Sequence, residues 1–96
     1  MLKQKKIKVG KKYIDTLIVK LQSRNFILLR GSKGYVMCGY LNLKTAEKFK
    51  DVAVKIVGVS TIEETLKAKV YSCSSAARNL GITKGQSVKE ILPRIA

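Results

Sequence analysis

The 96-residue sequence predicts an α+β fold, with N-terminal antiparallel β-strands followed by a mixed β/α part holding three to four short helices. Three observations carry this. Up to about residue 41 the apolar residues alternate with period two or run in short blocks, as strands do. Beyond residue 42 the β-branched run Val52–Val59 lies among segments that open on helix-capping residues. Two of these openings, Thr61-Ile62-Glu63-Glu64 and Ser87-Val88-Lys89-Glu90, are capping boxes, in which a hydroxyl and a glutamate satisfy amides at the helix start. The length suits a single domain over 1–96, basic and β-rich over about 1–41 and mixed α/β over about 42–96.

Taken in order, Lys6-Ile7-Lys8-Val9 alternates as a half-buried strand. Lys12–Leu21 continues the pattern, with Leu17, Val19 and Leu21 on one face and Thr16, Ile18 and Lys20 on the other, so the second face is only partly polar. Asn25–Arg30 is a third strand whose Phe26-Ile27-Leu28-Leu29 is apolar on both faces. Gly31-Ser32-Lys33-Gly34 predicts a turn, with glycine supplying positive φ, and Tyr35–Leu41 returns as a fourth strand. Strands apolar on both faces need cover on both, and in so short a chain a partner subunit is a natural cover. Asn42 is expected to cap a helix through about Asp51, and Val52–Val59 to form a strand. The Thr61 box opens a helix to about Ala68, and Lys69–Cys73 reads as a short strand. Ser74 caps the next helix, which ends on Gly81 as a left-handed residue with Ile82 as its apolar contact. Ser87 opens the last helix, near whose end Pro93 removes a donor.

The chain has no histidine, which excludes Ser-His and Cys-His dyads and imidazole acid-base work. Two cysteines, Cys38 and Cys73, do not complete a tetrahedral metal site, and none of the six carboxylates is spaced as a catalytic pair. No metal or other cofactor is implied. The cysteine count and the lack of an apolar leader or of a membrane-length apolar run predict reduced thiols in a cytoplasmic protein.

The net charge is +14, shared unevenly: residues 1–43 hold ten basic residues against Asp15 alone, residues 44–96 ten against five. Such a field attracts nucleic acid or other polyanions. Lys5, Lys6, Lys8, Lys11 and Lys12 in the N-terminal arm are candidate anion contacts, although lysine also guards exposed strand edges. Lys84 and Gly85, in the Gly81-Ile82-Thr83-Lys84-Gly85 turn ahead of a helix, are a second candidate anion site, while a helix cap followed by a turn explains the same glycines without a ligand.

Gly34-Tyr35-Val36-Met37-Cys38-Gly39-Tyr40-Leu41 lies in the longest uncharged run, which continues to Leu43. With Lys33 it partly matches the RNA-recognition octamer, but Met37 stands where the central stacking ring belongs, and strands precede it where a helix should. Cys38 is either a small core residue or a reactive thiol that Gly39 leaves open to approach.

This run, with Leu41-Asn42-Leu43, Val57-Gly58-Val59-Ser60-Thr61-Ile62-Glu63-Glu64, and Ala76-Ala77 leading to Gly81-Ile82 and Gly85, resembles the YunC-like family of small bacterial and archaeal proteins of unknown function. The resemblance covers roughly residues 16 to 93 and is most specific in the first two motifs. It implies an α+β domain whose N-terminal β region mediates tetramer formation, and it implies no known activity. It also makes Gly34, Tyr35, Cys38 and Gly39 the first place to look for a thiol site. Three readings follow: a cytoplasmic β-mediated homo-oligomer without an assignable reaction, a nucleic-acid or polyanion binder through the basic half, and thiol-dependent chemistry at Cys38.

Overall fold

A computed structural model of the chain describes residues 2–22, 25–38 and 43–96. The elements run β1 (Leu2–Val9), β2 (Lys12–Lys20), β3 (Asn25–Arg30), β4 (Tyr35–Met37), α1 (Leu43–Lys48), β5 (Ala53–Lys55), α2 (Ile62–Lys67), β6 (Ser72–Cys73), α3 (Ser75–Asn79) and α4 (Val88–Ile95). The strands form one sheet in chain order, antiparallel throughout except for the β4–β5 pair, which is parallel because α1 crosses between them. The fold is α+β with N-terminal strands, as the sequence pattern predicts.

The β1–β2 hairpin turns on Gly10 and Lys11 between the paired Val9 and Lys12. Gly10 has φ +63°, the left-handed value a tight hairpin needs at its first central residue. The β3–β4 turn works differently. Neither Gly31 nor Gly34 adopts a positive φ, so the expected reason for these glycines is corrected. Both are sites of close approach: a Cβ on Gly31 would run into the Ile95 carbonyl oxygen, and one on Gly34 would lie 2.6 Å from a Val52 methyl.

On the inner face of the sheet, Ile14, Leu29, Val36 and Val54 pack with Ile82, Val88, Ile91 and Ile95 into the main core, all of them essentially inaccessible. On the outer face α1 covers only the β4–β5 side, where Ala46 packs with Met37 and Ala53, and Leu28 and Tyr35 lie at the margin. In β2 the inward set is Ile14 and Thr16, not the more apolar Leu17 and Val19. Thr16 tolerates burial because its hydroxyl donates to the Lys5 carbonyl at 3.0 Å.

The helix ends follow the sequence closely. Thr61, Ser74 and Ser87 are N-caps, each accepting from an amide three residues on. After α3 the Gly81 amide donates to the Arg78 carbonyl and the Ile82 amide to that of Ala77, a Schellman motif with Gly81 at φ +87° and Ile82 fully buried. Pro93 lies within α4, which continues past it to Ile95. The strands β5 and β6 are shorter than predicted. The expected run of β4 through Gly39, Tyr40 and Leu41, and the Asn42 cap, lie outside the described residues. β5 stops at Lys55, and Gly58 at φ +74° turns the chain away. β6 keeps Ser72 and Cys73, while Ala68 and Val70 bond instead to Val88 and Gln86.

A second Schellman motif closes α1, with the Lys50 amide on the Glu47 carbonyl and the Asp51 amide on that of Ala46. Its left-handed residue is Lys50, at φ +59°, where a Cβ is strained. Lys50→Gly is therefore expected to stabilise the fold by about 1 kcal/mol despite glycine's larger unfolded-state entropy. Urea denaturation would show this as a raised midpoint, with Lys50→Ala giving no gain.

The Glu47 carboxylate accepts from the Ser75 amide at 2.7 Å and its hydroxyl at 2.9 Å, joining α1 to the start of α3. These two bonds hold its pKa below the usual glutamate value. A depressed carboxylate contributes stability above its unfolded pKa and loses it as pH falls through the folded one. The denaturation midpoint is thus expected to drop between about pH 5 and about pH 3, and to drop less steeply in Glu47→Gln. An unchanged slope would remove Glu47 from the account.

Candidate functional site

Two surfaces of the N-terminal sheet stand out. The first is its outer face. Register places Leu17 opposite Leu28 and Val19 opposite Phe26. All four side chains are half-buried, and Tyr13 (57% exposed) and Leu21 (38% exposed) extend the stripe along the same side of the chain. Of the described helices only α1 lies on this side, over β4 and β5. A solvated sheet face ordinarily carries polar residues, but here the polar pair Asp15 and Arg30 gives way to an apolar set at Leu17, Val19, Phe26 and Leu28. An ion pair joins the paired residues Asp15 and Arg30 at 2.8 Å. The Arg30 hydrogen bond pulls the Asp15 pKa down.

The second surface is a cleft of about 790 Å³ on the inner face, where Ile14 and Leu29 give way to Thr16 and Ile18. β1 contributes Lys5, Lys6 and Ile7; β2 contributes Thr16, Ile18 and Lys20; β3 contributes Asn25. Ser60, Thr61, Ile62 and Glu63 form the opposite wall. The Asn25 amide donates to the Ser60 carbonyl at 2.7 Å and ties the two sides together. Glu64 is engaged elsewhere: it accepts from the Ser60 amide and hydroxyl at 2.9 and 3.2 Å, which lowers its pKa.

Of the basic residues singled out in the sequence, Lys5 and Lys6 line this cleft, whereas Lys8, Lys11 and Lys12 are exposed residues outside its lining. Lys20, Thr16 and Asn25 carry no local motif. Lys5, Thr16 and Lys20 do fall on one face once the β1–β2 register is known, a signal available from strand alternation. Lys84 and Gly85 are apart from this group. Lys84 Nζ lies 5.8 Å from the Tyr71 ring centroid, and Gly85, at φ +95°, donates its amide to the Val70 carbonyl.

The uncharged run is structural over its described part. Cys38 is 4% exposed, and both cysteines are buried free thiols. Gly34 packs against Val52. The Tyr35 hydroxyl donates to the Asp51 carboxylate at 2.9 Å; burial and this bond push the phenol pKa up to about 12. Tyr35 thus ties β4 to the segment after α1, and its hydroxyl is held as a donor. Gly39 lies outside the described residues. Among the described residues no three carboxylate or cysteine side chains converge as metal ligands. No described helix is long and apolar enough to cross a membrane.

Residues 37–95 match a family described as a domain of unknown function, DUF1805. The chain is 42% identical over 78 residues to the uncharacterized protein YunC of Bacillus subtilis, an alignment that covers 77% of each protein. It is also similar to the crystal structure of a protein of unknown function, TA1206, from Thermoplasma acidophilum, with 34% identity and a TM-score of 0.96 over 100% of this chain and 94% of that one.

Proposed function

The chain belongs to the DUF1805 family, whose activity is unknown, and on that premise we propose that it works as a homo-oligomer assembled through the outer face of its N-terminal strands. The observation that carries this reading is the apolar set Leu17, Val19 and Phe26, which no described helix covers, with Leu28 beside them at the margin of the α1 cluster. A second copy of the same face is its natural occupant, because stacked sheets pack about 10 Å apart with interdigitating side chains. Each square ångström of apolar surface removed from water contributes roughly 25 cal/mol. A two-fold contact places identical faces together, and two such pairs make the tetramer that the family resemblance implies.

The charge sets the sign of a further expectation. Two copies at +14 each repel, so added salt should strengthen assembly by screening. Binding to a polyanion would weaken with salt instead. Light scattering at micromolar concentration is expected to give a mass several times the 10.7 kDa of one chain, up to about four times, and to hold that mass as salt is raised. A stable monomer would overturn the reading.

A further inference from the structure

We propose that the cleft between the β1–β3 sheet and the start of α2 binds a small organic anion with an apolar body. Its volume of about 790 Å³ lies within the range of small-molecule sites, roughly 300 to 1,000 Å³. Its lining is of two kinds. Ile7, Ile18 and Ile62 form an apolar floor and wall, and Lys5 and Lys20 bring ammonium groups. Neither ammonium has an ion-pair partner among the described residues. Lys5 lies opposite Thr16, four residues from Lys20 along β2, so the backbone positions of the two lysines are offset by about 13 Å along the strands with Ile18 between them. That spacing suits a ligand whose body rests on Ile18 and Ile62 while an anionic group meets a lysine.

The same lining disfavours a nucleic-acid strand. Single-stranded binders combine a continuous basic track with aromatic rings on which bases stack. Among the described residues this cleft contains no aromatic side chain, and Glu63 sets a carboxylate against the phosphate path. The site also opens on the opposite face of the sheet from Leu17 and Leu28, so it stands or falls independently of the proposed assembly.

The test uses the full chain and two probes that share a skeleton: anilinonaphthalene sulfonate, and N-phenylnaphthylamine, which lacks the sulfonate. Amide chemical shifts report where they bind. The sulfonate is expected to perturb Thr16, Ile18 and Ile62 saturably, and the uncharged analogue to bind about tenfold more weakly or worse, the loss expected for one charge-assisted contact. The double variant Lys5→Gln/Lys20→Gln should weaken the sulfonate to a similar degree while leaving the denaturation midpoint in place, since both lysines are exposed. Equal binding of the two probes, or shifts confined to Leu17, Val19 and Phe26, would overturn the proposal. So would an oligonucleotide that displaces the sulfonate from Thr16 and Ile18 with a steep salt dependence, which would make the cleft a nucleic-acid site.

Discussion

Gly31→Ala is expected to destabilise the fold by about 3 kcal/mol or more, at or above the upper end of the usual cost of overpacking. The three atoms nearest the added Cβ are all backbone: the Ile95 carbonyl oxygen, its carbon at 2.6 Å and the Ala96 Cα at 2.8 Å. No side chain can rotate to relieve such contacts. The backbone cannot yield cheaply either. The Ile95 carbonyl accepts from the Lys33 amide at 2.9 Å, and the Ala96 amide is held by Leu92 at 3.0 Å. Ile95 itself is fully buried in the main core. Relief therefore requires the β3–β4 turn or the end of α4 to leave its place, with loss of packing or of the Lys33 bond. Against a typical total of about 5–15 kcal/mol, that is a large fraction. Urea denaturation beside the exposed neighbour Ser32→Ala, expected within about 0.5 kcal/mol of the parent, checks it. Equal stability of the two variants would refute the close-approach account of Gly31.

The features legible in the sequence are those whose cause is local. Thr61, Ser74 and Ser87 act on amides three residues away, and Gly81 with Ile82 closes α3 within five residues, so residue type and spacing suffice to find them. Gly31 shows the opposite case. Its neighbours suggest a turn, but the atoms that require glycine belong to residues 95 and 96. Lys50 is illegible for another reason: a left-handed cap ordinarily announces itself by glycine or asparagine, and here a lysine takes the strain. The inward face of β2 is ambiguous in the sequence because both faces are largely apolar, and Thr16 meets the inward placement by donating to the Lys5 carbonyl. The cleft was half visible. Lys5 and Lys6 stand in a basic run, but Lys20, Asn25 and the Ser60–Glu63 wall meet them only through sheet register and the placement of α2.

The variant Leu17→Lys is expected to reduce the assembled protein to monomer without unfolding it. Leu17 sits at the middle of β2, paired with Leu28 on β3 and Gln4 on β1, and is half-buried in the single chain. In the monomer a lysine stem lies along that surface with its ammonium in water, so the fold loses little. In a face-to-face pair the same ammonium is shut between two apolar sheets, once from each copy under two-fold symmetry. The effective penalty for burying an unpaired charge is several kcal/mol, so self-association should weaken by at least about a hundredfold. Tyr71→Lys is the control. Tyr71 is 53% exposed but lies beside Lys84, away from β2 and β3, and its replacement should leave the assembled mass unchanged. Light scattering across a dilution series separates the outcomes. Dissociation of Leu17→Lys alone, with its helical and strand spectrum retained, supports the outer face as the contact. If Leu17→Lys keeps the parent mass, the contact lies elsewhere. If both variants dissociate, added charge rather than position is responsible, and the half-buried Leu17 and Val19 need another explanation.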